Sequence, residues 1–167
     1  MEFELCILMS ETFALEVQSP FSGLILSGEK SIETRAYPLP NYLHGVGILL
    51  CESSSGEDCV SCVGDNVNEA QVGLSLVGEV FFSDSKEYHT QVQWDIDREK
   101  HQVPKDSKYE WAPTETGIRY GWQIERVIVY TPPLPVPQMK RRLVKLKSNS
   151  FCRDICQMLK FPKLTKH

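Results

Sequence analysis

No stretch of this chain approaches the ~20 consecutive apolar residues that a membrane-crossing helix needs. Its apolar runs LSLVGEVFF and IERVIVY are both short and interrupted by charge. Basic residues are missing from the start, where Glu2, Glu4 and Glu11 stand in place of the positive charge of an export signal. The expected setting is therefore cytoplasmic or nuclear, with no membrane partner. Histidine is scarce, at four in 167 residues, and His44, His89 and His101 are neither spaced as metal ligands nor beside an evident nucleophile. They read as surface or loop residues. Six cysteines would allow three disulfides, but nothing else in the chain suggests an oxidising compartment, so they read as free thiols. Cys59 and Cys62 have the spacing of half a zinc site, yet the other pair, Cys152 and Cys156, is remote in sequence. No metal and no cofactor are expected, and no internal repeat is present.

Positive charge is also scarce over most of the length. Residues 1 to 137 carry nine lysines and arginines against 21 aspartates and glutamates, whereas residues 138 to 167 carry nine basic residues and a single acid, Asp154. An acidic body repels a long nucleic-acid duplex, while a basic tail attracts polyanions or docks on the body itself. With 41% hydrophobic and 24% charged residues the composition is that of a globular domain, and the length fits one.

The pattern along the chain is mainly β. Phe13, Leu15 and Val17 alternate as one apolar face of a strand. Ser19 then reads as a helix cap and Pro20 as its first residue, with Phe21, Leu24 and Ile25 at helical spacing before Gly28 closes the helix. GVGILLCE and LSLVGEVFF read as buried strands, with Gly78 marking a bulge or a close approach of another segment. Tyr88, Val92 and Ile96 would share the face of one helix within residues 85 to 103, and KYEWAP reads as a short strand. Tyr120, Trp122, Ile124, Ile128 and Tyr130 trace the strongest strand, which TPPLPVP is expected to stop. Residues 53 to 72, polar and rich in Ser, Gly and Cys, read as a mobile loop. RRLVKLK alternates, and Ser150 would cap a last helix carrying Phe151, Ile155 and Leu159 on one side.

Chemistry concentrates in GEKSIETR. Period two puts Glu33 and Arg35 side by side on a strand, with Ser31 on their face and Thr34 pointing away, and Lys30 at the entrance can swing toward them. A carboxylate that accepts from exocyclic amines, flanked by two cations that take carbonyl or phosphate oxygens, suits a polar planar ligand. The same three residues could instead form a salt-bridged exposed strand. Tyr120 and Trp122 are candidates for the lining of such a cleft.

The stretch ALEVQSPFSGLILSGEKSIETR resembles the signature of the ASCH domain, a PUA-like family: a strand, a Gln-Pro-aromatic helix start, then Gly-x-Lys-x-x-Glu-x-Arg. Gly28, Lys30, Glu33 and Arg35 match at that spacing. Residues 18 to 20 are Gln-Ser-Pro where the pattern has Gln-Pro, and MKRRLVKL lacks the Gly and Trp often found in the closing segment. The resemblance implies an α+β, mainly β fold, a small β-barrel with short helices at its rim, spanning residues 13 to 147. Residues 1 to 12 would be an extension and 148 to 167 a basic tail.

It further implies that the cleft beside the glycine turn receives RNA, short or single-stranded, or a nucleotide or nucleoside. In that reading Lys30, Glu33 and Arg35 contact the ligand, and Lys140, Arg141, Arg142, Lys145 and Lys147 track phosphates. Some members of the family are amidohydrolases acting on acetylated cytidine through a lysine, a hydroxyl three positions later and a distant glutamate. Here Lys30 is present but Glu33 occupies the hydroxyl position, so an enzyme using Lys30 and Glu33 is the second reading. A protein-interaction adaptor using Pro132 to Pro137 is the third.

Overall fold

The computed structural model describes residues 12–53, 74–112, 117–136 and 144–146. The expected loop within 53–72 therefore lies almost wholly outside the described residues, as do the tail 148–167 and Cys59, Cys62, Cys152 and Cys156. Six strands form one mixed sheet in the order β2-β5-β4-β3-β1-β6. They are β1 (Thr12–Gln18), β2 (Ile32–Arg35), β3 (Gly47–Ser53), β4 (Leu74–Tyr88), β5 (Arg119–Val136) and β6 (Val144–Leu146), with helices α1 (Phe21–Ser27), α2 (Gln91–Ile96) and α3 (Arg98–His101). β1 and β3 run parallel, and every other neighbouring pair is antiparallel. The class is α+β, mainly β. The expected barrel is not closed, because β2 and β6 end the sheet and do not pair with each other.

The apolar alternation of β1 decides which way the sheet faces. Phe13, Leu15 and Val17 enter the main core with Ile25 of α1, Ile48 and Leu50 of β3, Val80 and Phe82 of β4 and Trp122 of β5. Ala14 points to the other face, into a smaller cluster with Leu49, Cys51, Leu74 and Leu76. β1 and β3 are thus buried on both faces, as their near-continuous apolar sequence requires.

α1 is capped by Pro20 with no side-chain bond, so the cap expected at Ser19 does not form. Residues 85 to 103 do not make one helix. Glu87 and Tyr88 belong to the end of β4, and Thr90 then opens α2 through a capping box with Gln93. Val92 and Ile96 face solvent. The residue that faces inward is Trp94, which packs with Tyr88, Val103 and Trp111 in a third cluster. Asp97, at the junction of α2 and α3, accepts from Lys86, Lys100 and Tyr88. Burial would raise its pKa, but these bonds outweigh burial and hold it near about 2.

β5 runs on through the prolines instead of stopping. Leu76 pairs with Leu134 and Gly78 with Val129, so residues 130 to 133 of β5 oppose only Val77 of β4. Pro132 and Pro133, which have no N–H to give a ladder, sit inside this bulge. Gly78 marks its edge: a Cβ there would lie 2.3 Å from the carbonyl oxygen of Ile128.

Candidate functional site

The site is built from the end of α1. Gly28 adopts φ +82°, a left-handed C-cap whose N–H donates to Ile25 O. The reversed chain is clamped at once, Lys30 N donating to Leu24 O and Ser31 N to Lys100 O, each at 2.9 Å. That turn sends the Lys30 side chain inward, where it is only 2% exposed. Its ammonium donates to Ile32 O at 2.8 Å and to His101 O at 2.5 Å, lies 3.5 Å from Glu33 Oε2, and sits 5.6 Å from the centre of the Phe21 ring. Burial lowers the Lys30 pKa below the ordinary lysine value, and the neighbouring Glu33 carboxylate opposes this.

Contrary to the sequence reading, His101 is no surface residue. It is fully buried, stacked on Trp94 with ring centroids 4.1 Å apart. Its Nδ1 accepts from Val103 N at 3.1 Å, which leaves Nε2 to donate to Trp94 O at 3.1 Å. Burial lowers its pKa to about 4, so the ring is neutral near pH 7.

On β2, Glu33 and Arg35 share a face. Glu33 Oε1 meets Arg35 Nη2 at 2.8 Å, and the same Nη2 donates to Glu16 O at 3.0 Å, across the gap between β2 and β1. Glu33 is 6% exposed, so the triplet is not an exposed salt-bridged strand. Lys30, Glu33 and Arg35 line one cleft of about 230 Å³ together with Glu16, Val17, Gln18, Phe21, Thr34, Val103 and Tyr109.

Several of these residues were not anticipated. Lys108 and Tyr109 lie in a turn and residues 110–112 join no strand, which lets Tyr109 reach the cleft, donate to Gln18 Oε1 and meet Phe21 edge to face, 5.6 Å between centroids. Thr34 lines the cleft, whereas Ser31 is exposed, the reverse of the strand-alternation reading. No local sequence signal marks Tyr109 or Val103, because the topology brings them to the cleft from more than 70 positions beyond Lys30.

The aromatic candidates lie elsewhere. Trp122 is fully buried in the main core, its Nε1 donating to Tyr37 O at 3.1 Å, and Tyr120 packs half-buried against the same core. Neither lines the cleft. Of the proposed phosphate contacts, the Lys145 backbone pairs with Phe13 of β1, while Lys140, Arg141, Arg142 and Lys147 fall outside the described residues. Among the described residues no group of three or more His, Cys, Asp or Glu side chains is arranged to hold a metal. No helix among them is long and apolar enough to cross a membrane.

The open mixed sheet with its short helices has an ASCH-like fold. Structures of the ASCH protein from Zymomonas mobilis match it at 12% sequence identity. One superposes with a TM-score of 0.58 over 93% of this chain and 99% of the other. Two point variants of that protein give TM-scores of 0.58 and 0.55, covering 92% and 89% of this chain and 100% and 96% of theirs. The chain matches no protein-family model and no curated protein sequence.

Proposed function

We propose that the cleft binds a nucleotide, free or as one unit of a short single-stranded RNA. The observation that carries this reading is the convergence of Lys30, Glu33 and Arg35 on one small open cleft with an aromatic wall, Phe21 and Tyr109. Its volume of about 230 Å³ suits one nucleobase with part of its sugar and no larger body. Glu33 offers an acceptor for an exocyclic amine, Arg35 a donor for oxygen, and Tyr109 a partly exposed ring on which a base can pack.

β6 extends the argument to a strand of RNA. Lys145 pairs with Phe13, three residues along β1 from the cleft residue Glu16, which is about 10 Å at the usual strand rise. A basic segment at that distance can follow the phosphates of a nucleotide seated in the cleft. The test is titration of the full-length protein with nucleosides, nucleotides and short oligonucleotides, for the parent and for Lys30→Ala. Saturable binding that Lys30→Ala abolishes is expected, and absence of any binding overturns the reading.

One observation favours a second reading. Thr34 lines the same cleft as a lysine of lowered pKa, and a hydroxyl residue beside such a lysine is what an amidohydrolase would need. Turnover of acetylated cytidine, lost in both Lys30→Ala and Thr34→Val, would establish hydrolysis over simple binding.

A further inference from the structure

Charge is spread unevenly along the acidic body. Residues 1 to 137 carry 21 aspartates and glutamates, yet none falls between Glu33 and Glu52, and from Ala36 to Cys51 there is no Asp, Glu, Lys or Arg at all. This uncharged run leaves the cleft residue Arg35 and crosses to β3 through the 3₁₀ turn Asn41–Leu43. Leu39 and Leu43 are buried, and the turn is fixed by Leu43 N donating to Pro40 O at 2.8 Å and Gly45 N to Phe82 O at 2.7 Å. Between these anchors the Tyr42 ring stands 67% exposed, the most exposed of the described Phe, Tyr and Trp side chains.

Tyr42 touches Phe13, with ring centroids 5.8 Å apart and planes at 47°. Shielding Phe13 uses one side of the tyrosine and leaves the larger part of it open. The backbone of the same Phe13 pairs with Lys145 of β6. A rigidly mounted aromatic ring therefore stands beside a strand from the basic end of the chain, on a segment with no carboxylate to repel a polyanion. Single-stranded nucleic acid needs this pairing, because every base has a face to stack and nearby cations take the phosphates. A duplex keeps those faces to itself. Tyr37, two residues beyond Arg35 and edge to face with Trp122 at 5.5 Å, marks the path of the chain from the cleft toward Tyr42.

We infer that Tyr42 is a second base-stacking site, outside the cleft, for a nucleotide further along the same strand. Phe13 is three residues along β1 from the cleft residue Glu16, about 10 Å at the usual strand rise, a gap that units of one extended strand can bridge. Resting on the nucleotide reading above, this makes the ligand a single-stranded oligonucleotide in preference to a free nucleotide.

The experiment titrates the full-length protein, by calorimetry, with adenosine, cytidine and uridine 5′-monophosphates and with the corresponding RNA homohexanucleotides. A hexanucleotide is expected to bind roughly tenfold tighter than its monophosphate. Tyr42→Ala and Tyr42→Leu should each remove about tenfold of the hexanucleotide affinity and leave the monophosphate affinity as it was, while Tyr42→Trp keeps both. Leucine covers Phe13 without offering a planar face, so it separates stacking from shielding, and melting temperatures show that each variant is folded. Hexanucleotide affinity unchanged in Tyr42→Ala and Tyr42→Leu overturns the inference while nucleotide binding in the cleft survives. The same follows if the hexanucleotide binds no tighter than the monophosphate. If hexanucleotide binding depends on Tyr42 but is untouched in Lys30→Ala, the tyrosine site stands and the cleft reading falls. A parent protein that binds neither probe removes both.

Discussion

The ammonium of Lys30 lies 2.5 Å from the carbonyl oxygen of His101, a residue 71 positions further along the chain. One bond therefore joins the motif turn to the end of α3, and the orientation of that carbonyl depends on the two hydrogen bonds made by the neutral His101 ring. The placement of the cleft lysine thus depends on a histidine that does not itself line the cleft.

The first prediction is a pH dependence. His101 has an ordinary pKa of 6.5, and burial lowers it to about 4 in the folded protein. Between those values the unfolded chain takes up a proton that the folded chain refuses, so stability falls as pH drops from 6.5 toward 4. The loss is on the order of 3 kcal/mol. Urea unfolding at pH 7 and pH 4.5 should show it. In His101→Phe, which has no group to titrate, the component due to this residue should disappear even though the variant starts from a lower stability.

Glu33→Gln removes the carboxylate that lies between a buried ammonium and a guanidinium. Breaking a buried ion pair on one side leaves an uncompensated charge, and the expected cost is about 3 kcal/mol. Denaturant midpoints would measure it, and a midpoint equal to that of the parent would mean that the Ile32 and His101 carbonyls suffice for Lys30.

Two glycine substitutions should separate backbone strain from collision. Gly28→Ala meets no atom within 4 Å but must hold φ +82°, so a loss of about 1 kcal/mol is expected. Gly78→Ala drives a Cβ onto the backbone oxygen of Ile128 at 2.3 Å, which only a shift of β5 can relieve. A loss of several kcal/mol, or failure to fold, is expected there. Thermal melts of both variants would rank them.

Removal of residues 148 to 167 should leave a cooperatively folding domain, because β6, the last described strand, ends at Leu146. A chain that loses its sharp thermal transition on truncation would place Phe151, Ile155 and Leu159 in the core.

Elements with a clean period were legible in the sequence. The alternation of Phe13, Leu15 and Val17, the bracketed helix before Gly28, and the apolar runs of β3 and β4 all appear where residue spacing puts them. Failures came where tertiary context overrides a local rule. Prolines read as a strand stop, yet β5 absorbs them in a bulge that only its pairing with β4 reveals. Val92 and Ile96 looked like a buried face and Trp94 did not, because the short α2 is oriented by the aromatic cluster behind it. At the site, the spacing of Lys30, Glu33 and Arg35 was legible, but the burial of Lys30 was not. Nothing local to GEKSIETR announces that a carbonyl from α3 will take its ammonium.

Trp94, Trp111 and Trp122 are each no more than 2% exposed, and none lines the cleft. Indole emission from this protein should therefore be blue-shifted and poorly quenched by iodide or acrylamide until the chain unfolds. It would report global unfolding faithfully while staying nearly silent to occupancy of the cleft. Tyr109, partly exposed and part of the aromatic wall, is the natural position for an optical probe: Tyr109→Trp would place a single solvent-accessible indole where a stacked base would quench it.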